Sequence, residues 1–285
     1  MRVYVQGAGN LGRSLGRALR RAGWQVRVRA ARGGMARRIE ADVVLVALRD
    51  PQIRAWAQEV AERGSLAPGA VVLHLAGALG PEELAPLRGL CRGVGRMHPM
   101  VAVADGEAGG EWGGSWVHLE GDPAAVRAGR ELARSLGMVG WAGRLRDRGL
   151  YHAAAGLVAG GAVALMAAAL EVLEGAGVRR DRGVKMLAGL LRSAVSNMER
   201  LGVPGALTGP VRRGDVERST GHLRAVARWA PGWAGLVGEV VLAQVGMARE
   251  LGEATEIEYR QIEHAVRGSK RGIAARRAAR PRKKV

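Results

Sequence analysis

The segment that most limits what this chain can fold into is its first dozen residues. An apolar run, Val3-Tyr4-Val5, leads into Gly7-Ala8-Gly9-Asn10-Leu11-Gly12, and the helical period LGRSLGRALRRAG begins inside that turn. Three glycines at this spacing between a strand and a helix have separate jobs. Gly7 permits the tight turn, Gly9 lets a ligand approach the backbone, and Gly12 lets helix and strand pack with no side chain between them. The N–H groups of the helix's first turn lack intrahelical partners, and the helix dipole favours negative charge beside them. The pattern therefore predicts a dinucleotide whose pyrophosphate is held at Gly7, Gly9, Asn10, Leu11 and Gly12.

The end of the second strand decides which dinucleotide. An acid there would accept hydrogen bonds from the ribose 2′-hydroxyl of NAD. The sequence instead runs Val28-Arg29-Ala30-Ala31-Arg32, with no carboxylate. A guanidinium grips a phosphate with a planar fork, so Arg29 and Arg32 point to NADP (as NADPH) as the cofactor.

Short β-rich runs alternate with helical periods over residues 1–145, at 2–6, 25–29, 42–48, 70–75, 93–98, 115–119 and 138–142 for strands and 11–22, 51–63 and 123–136 for helices. That alternation predicts an α/β domain with a parallel sheet built from βαβ units. Asp50-Pro51 and Asp122-Pro123 read as cap-then-proline helix starts. From Arg148 onward only helical periods occur, at 150–175, 182–200, 216–229, 233–251 and 256–266. Residues 146–267 are thus expected to form an all-α domain, and the low-complexity stretch 268–285 a basic flexible tail.

The formal charge of +18 has several sources. The tail holds eight Lys and Arg and no acid. All but four of the 44 basic residues are arginine and Phe is absent, a bias that codon usage in a GC-rich genome explains. Clustered cations give salt-dependent affinity for nucleic acid, but the tail has no aromatic residue to stack on bases. Nucleic acid is therefore expected only through the tail, if at all. The single Cys91 excludes an internal disulfide and a Cys-based zinc site, which suits a reducing cytoplasm. No spacing of His, Asp and Glu suggests a metal site, and no signal peptide precedes the first strand. Residues 153–170, AAAGLVAGGAVALMAAAL, carry no charge and reach membrane-spanning length. Their Ala and Gly content favours a close-packed buried helix that neighbours or a second subunit approach, and no membrane partner is expected.

Five motifs occur in a fixed order: the glycine turn, His74-Leu75-Ala76-Gly77-Ala78-Leu79, Met97-His98-Pro99-Met100, Tyr151-His152-Ala153-Ala154-Ala155, and Leu207-Thr208-Gly209-Pro210-Val211-Arg212-Arg213-Gly214-Asp215. Together they resemble a bacterial family of Rossmann-like proteins whose C-terminal half is a domain of unknown function. That family is related to pyrroline-5-carboxylate reductase, ketopantoate reductase and the deazaflavin-dependent NADP reductases. The resemblance implies a nucleotide-binding domain, then a helical domain like the C-terminal domain of 6-phosphogluconate dehydrogenase. It also implies a homodimer formed through the helical domain, a substrate cleft between the two domains, and NADPH-dependent reduction of a small carbonyl or imine. Ala76 and Gly160 stand where the family usually has Ser and Asn. Those departures keep open a second expectation, an NADP-binding sensor or interaction protein without turnover.

Among the residues themselves, His98 ends the fifth strand, where ligands of open α/β sheets bind. His152 begins the first helix of the second half. Hydride transfer to C=O or C=N needs a proton donor, and histidine titrates in the useful range; His98 and His152 are the candidate catalytic pair. His74, inside an apolar strand, reads as a satisfied core residue, and His118, His222 and His264 as structural or surface residues. Thr208 and Arg213 are candidates for holding a substrate carboxylate. The alternative for their loop is plain helix capping by Asp215 with an ion pair to Arg212 or Arg213.

Overall fold

The computed structural model describes residues 1–33, 36–106 and 112–278. The chain divides into two compact units, Met1–Ala159 and Gly160–Val285. Strand signals stop near residue 145, as expected, but the first unit also takes in the first three turns of the long helix that follows.

The first unit is a seven-stranded sheet: β1 (Arg2–Gln6), β2 (Gln25–Arg29), β3 (Val43–Val46), β4 (Val71–His74), β5 (Gly93–Pro99), β6 (Trp116–Gly121) and β7 (Val139–Ala142), in the order β2-β1-β3-β4-β5-β6-β7. Strands β1 to β5 are mutually parallel. β6 runs antiparallel to β5, and β7 returns parallel to β6. The parallel sheet expected from the sequence is formed by β1 to β5, and β6 and β7 run against it. Parallel neighbours need a crossover, usually helical, and no helical period lies between 98 and 115.

Helices α1 (Asn10–Arg21) and α3 (Pro123–Ser135) cover one face of the sheet, burying Leu15, Leu19 and Leu132 with Val5, Leu45, Leu73, Met97 and Leu119. Helix α2 (Asp50–Glu62) and a 3-10 helix at Pro81–Leu87 cover the other, with Ile53, Trp56, Val60, Leu84 and Leu87 against Val44, Val46 and Val72. The chain leaves β1 to pair β2 on one side and later lays β3 on the other, so a crevice opens between β1 and β3 at their carboxyl ends. The helix starts differ in detail from expectation. Arg49 occupies the cap position of α2, with Asp50 as its first residue. Asp122 does cap α3 in position, but its carboxylate accepts from the Val94 N–H at 2.9 Å and so ties α3 to β5.

Helix α4 (Arg148–Gly175) runs through the division between the units. In the second unit follow α5 (Arg180–Gly205), kinked at Gly202 where φ is +74°, α6 (Val216–Trp229), α7 (Ala234–Leu251) and α8 (Glu256–Ala278). Val211, Val245, Ala248, Tyr259 and Ile262 form its main core. α8 extends well past the expected end at 266, so the stretch read as tail is helical to Ala278, and 279–285 fall outside the described residues.

α4 departs from expectation in its burial. By length and composition it is the one candidate membrane span among the described residues, yet only 11% of its apolar window is buried. Ala168 and Leu170 are its buried residues, and Leu157, Val158 and Val163 are more than 70% exposed. The close-packed burial predicted for 153–170 is thus absent within a single chain.

Leu73 lies at the centre of β4 with no exposed surface. Leu73→Ala is expected to cost about 3 kcal/mol through lost burial and a residual cavity, measured as a lowered urea midpoint with an unchanged slope.

Candidate active site

The glycine turn has the form its spacing predicts. Gly7 adopts φ +116°, and a Cβ there would overlap the Ala47 carbonyl of the neighbouring strand's end; one at Gly12 would overlap the Gly7 carbonyl. Gly9 caps α1, and an added Cβ meets nothing within 4 Å. No side chain caps α1 and no acid stands in its first turn. The turn thus offers N–H groups and an open approach, as a bound phosphate requires. Asn10 contributes differently: its side-chain amide donates to the Ala104 carbonyl at 2.6 Å, pinning the loop after β5 onto the helix start. Leu11 packs on the core, leaving its backbone amide as the group a ligand meets.

Arg29 ends β2 directly beside Gln6 of β1, and its carbonyl accepts from the Gly7 N–H at 2.8 Å. Arg32 follows in the 3-10 turn Ala31–Gly33 and is exposed. Both therefore stand at the β2 side of the crevice.

Farther along the same edge, alternation on the strands brings a row of polar side chains to one face. Arg96 and His98 are two apart on β5; His118 sits opposite His98, and Glu120 opposite Arg96, on β6. His74 is the β4 neighbour of Arg96 and Trp141 the β7 neighbour of His118. Arg96 organises this row and has no exposed surface. It donates to the Ala76 carbonyl at 2.8 Å, to the Gly77 carbonyl at 2.6 Å and to His118 Nδ1 at 2.5 Å. His118 Nε2 lies 2.9 Å from the Gly143 carbonyl, so the proton is on Nε2 and Nδ1 accepts. The guanidinium carbon stands 5.2 Å from the centre of the Tyr151 ring. None of these partners is a carboxylate. Burial pulls the Arg96 pKa below its ordinary value, and Tyr151 and Glu120 oppose that shift.

The α4 start places the remaining groups. Asp147 Oδ1 accepts from the Leu150 N–H at 2.9 Å, and Arg148 holds Glu120 by both oxygens at 2.7 and 3.1 Å. Tyr151 and His152 are thereby set against β5. The Tyr151 hydroxyl lies 3.2 Å from His98 Nδ1, and the His98 and His152 rings meet edge to face at 5.6 Å. The His152 ring also fills the space a Cβ would need at Gly77. His98 and His152, far apart in sequence, are therefore neighbours, with Tyr151, Arg96 and His118 around them.

The chemistry of His98 differs from expectation. Burial, then Arg96, pushes the His98 pKa down to about 3, so the ring is neutral at pH 7 and acts as a hydrogen-bonding group rather than as an imidazolium acid. His74 is fully buried between the Gly80 carbonyl and the Ala76 N–H, its pKa lowered to about 4 mainly by burial. Burial raises the Tyr151 pKa against the opposing pull of Arg96, so its phenol stays protonated. Arg96 does not stand out in the sequence because arginine is so common in this chain. Its signal is a cation at an inward-facing position of an otherwise apolar strand, two residues before His98.

In the second unit, Thr208 and Arg213 are exposed. Asp215 caps α6 by accepting from the Arg218 N–H at 3.0 Å. Arg212, rather than Arg213, is the locked residue: it binds Glu253 through two nitrogens and donates to the Leu207 carbonyl at 2.7 Å. Among the described residues no group of three or more His, Cys, Asp and Glu side chains forms a metal site.

Residues 115–236 match the family model described as "Domain of unknown function (DUF2520)". The resemblance read from the motifs is borne out over that span. No curated protein matches the sequence. Among solved structures the chain is similar to a candidate NADP oxidoreductase from Bacteroides fragilis, with 19% identity over 86% of this chain and 98% of that one and a TM-score of 0.69. It is also similar to the pyrroline carboxylate reductase of Plasmodium falciparum with NADP bound, at 10% identity, 89% and 97% coverage and a TM-score of 0.59. A third is the imine reductase of Myxococcus stipitatus in complex with NADP+, at 15%, 88% and 93%, and 0.57. Identities this low carry the fold: a Rossmann-like sheet followed by a helical region.

His74 and His98 both fold as neutral imidazoles whose protons bind first in the unfolded chain. Their contribution to stability is whole above an ordinary histidine pKa of about 6.5 and is lost as pH falls towards 4 and 3. The urea midpoint is expected to drop between pH 7 and pH 4, and the His98→Gln variant should lose less over the same interval.

Proposed function

We propose that the protein is an NADPH-dependent oxidoreductase that transfers hydride to a small carbonyl or imine carbon. The observation that carries this reading is the placement of two sites on one sheet edge. The open glycine turn ends β1, and the cluster of His98, Tyr151 and His152 gathers at the end of β5, three strands away in the order β1-β3-β4-β5. At about 4.8 Å per strand that is roughly 14 Å, a gap an extended dinucleotide bridges. Its pyrophosphate would rest on the backbone of Gly9, Asn10, Leu11 and Gly12, and its nicotinamide would reach the β5 end. When bound, the cofactor supplies the hydride. The protein's own residues orient the substrate and handle the proton, with His98 and His152 as neighbours of the reacting atoms.

NADP is preferred over NAD in this reading because Arg29 and Arg32 flank the β2 end and no carboxylate stands there to repel a 2′-phosphate. Combined Arg29→Ala and Arg32→Ala substitution is expected to weaken NADPH binding at least tenfold while NADH binding changes less than twofold, both followed by nicotinamide fluorescence. NADPH binding by the wild type without oxidation across a broad panel of carbonyls and imines would replace the enzyme reading with a dinucleotide sensor. Thr208 and Arg213 remain proposed substrate contacts, and a cytoplasmic location accords with the unpaired Cys91.

The working form is proposed to be a homodimer joined through the helical region. α4 and α5 expose Leu157, Val158, Val163, Met186 and Leu190, and α4 adds Gly156, Gly160 and Gly161, which have open space where a Cβ would be. α4 and α5 also line an apolar groove of about 360 Å³ beside Met166, Leu191 and Val195. Two charges on the exposed surface of α4, Leu157→Asp with Val163→Asp, are expected to yield monomers in analytical ultracentrifugation, against dimers for the wild type. Wild-type protein that sediments as a monomer, or that partitions into lipid vesicles through this face, would overturn the dimer.

A further inference from the structure

Within the reductase reading, on which this rests, carbonyl and imine substrates make opposite electrostatic demands. Reducing C=O develops negative charge on oxygen. A protonated C=N group brings positive charge into the site from the outset. The β5 end is built for the first case. Arg96 is a cation with no exposed surface, and its hydrogen bonds go to two carbonyls and one imidazole, none to an acid. The acids on the neighbouring strand and turn are engaged elsewhere: Glu120 with Arg148 through both oxygens, and Glu82 with Arg148 at 3.3 Å. His74, His118 and His152 add no negative charge. The influences on His98 beyond burial all come from Arg96 and from other histidines, and all oppose a second positive charge.

Tyr151 completes the arrangement. Its hydroxyl reaches His98 Nδ1 at 3.2 Å and its ring lies against the Arg96 guanidinium. The two sides of this phenol have different uses: His98 orients the hydroxyl, and Arg96 stabilises the negative charge that would appear on it. We propose that the substrate of this site is a carbonyl compound and that Tyr151, backed by the buried Arg96, donates the proton to its oxygen.

The step balances. The carbonyl carbon accepts a hydride, with its electron pair, from the dihydronicotinamide, which is oxidised. The C=O π pair moves to oxygen, and that oxygen takes the Tyr151 hydroxyl proton to give the alcohol. The phenolate regains a proton from His98 Nδ1–H while His98 Nε2 takes one from solvent water, whose hydroxide the buffer neutralises as the one H+ the reduction consumes, so the imidazole changes tautomer without becoming charged. A protonated imine gains none of this stabilisation and meets the Arg96 charge before reaction.

The test compares cyclopentanone with 1-pyrroline, a ring-matched carbonyl and imine, using the full-length protein and NADPH at pH 7. The ketone is expected to show at least tenfold higher kcat/KM. Tyr151→Phe is expected to lower kcat on the ketone at least 100-fold, the scale of a lost positioned proton donor, with the NADPH dissociation constant within twofold. Faster reduction of the imine, or a Tyr151→Phe kcat within twofold of wild type, overturns the proposal and leaves the reductase reading standing. Calorimetry without cofactor reads the charge preference independently of turnover. Propionate is expected to bind at least tenfold more tightly than propylammonium, and equal, absent or reversed binding overturns the proposal. Failure of NADPH to bind at all overturns the reductase reading instead, while the order of the two probes still decides the charge of the site.

Discussion

The buried guanidinium of Arg96 is the interaction on which the carboxyl end of the sheet depends. One side chain ties the turn after β4, through the Ala76 and Gly77 carbonyls, to β6, through His118, and it supports the Tyr151 ring at the start of α4. A cation without exposed surface persists only where its donors are met, because an unpaired buried charge is costly. The two carbonyls and the imidazole nitrogen give each of its three nitrogens a partner. The same charge sets the character of its surroundings. After burial, which is the larger cause, it helps to hold the pKa values of His74, His98 and His118 below the ordinary histidine range.

Two ends of one sheet edge thus offer complementary surfaces. At the β1 end, glycines strip away side chains so that backbone N–H groups present a diffuse positive potential to an anion. At the β5 end, a single localised cation sits behind an aromatic hydroxyl and two imidazoles. The crevice between β1 and β3 is a consequence of strand order, since α1 and α2 lie on opposite faces of the sheet. Close approach of Gly7 to Ala47 and of Gly12 to Gly7 makes that crevice reachable. Asn10 spends its side chain on Ala104 and leaves the pyrophosphate position to backbone groups.

Much of this was legible in the chain because the signals are local. All seven strands and the α-helices α1, α2 and α3 follow from apolar runs and helical periods, with ends shifted by a residue or two, whereas the 3-10 helix at Pro81–Leu87 carries no such period. The glycine turn follows from three residues within six positions. His98 and His152 stand out by their places at element ends. The departures have a common origin in distant contacts. β6 reverses where the sequence between 98 and 115 carries no helical period to make a crossover. Asp122 bonds to Val94 on another strand instead of to its own helix. Arg96 was one arginine among many, since a cation's burial depends on residues 19 to 22 positions away.

The sequence by itself determined the order of strands and helices, the turn that opens a helix start to an anion, and the absence of an acid at the end of β2. Each depends on residues adjacent in the chain, where periodicity, glycine and the missing side chain act directly. Only the tertiary structure decided that His98 is neutral, that Tyr151 stands between it and Arg96, and that α4 keeps its apolar face exposed within one chain. Those properties arise from burial and from charges brought together across β4, β5, β6 and α4, and no local pattern encodes the distance between them.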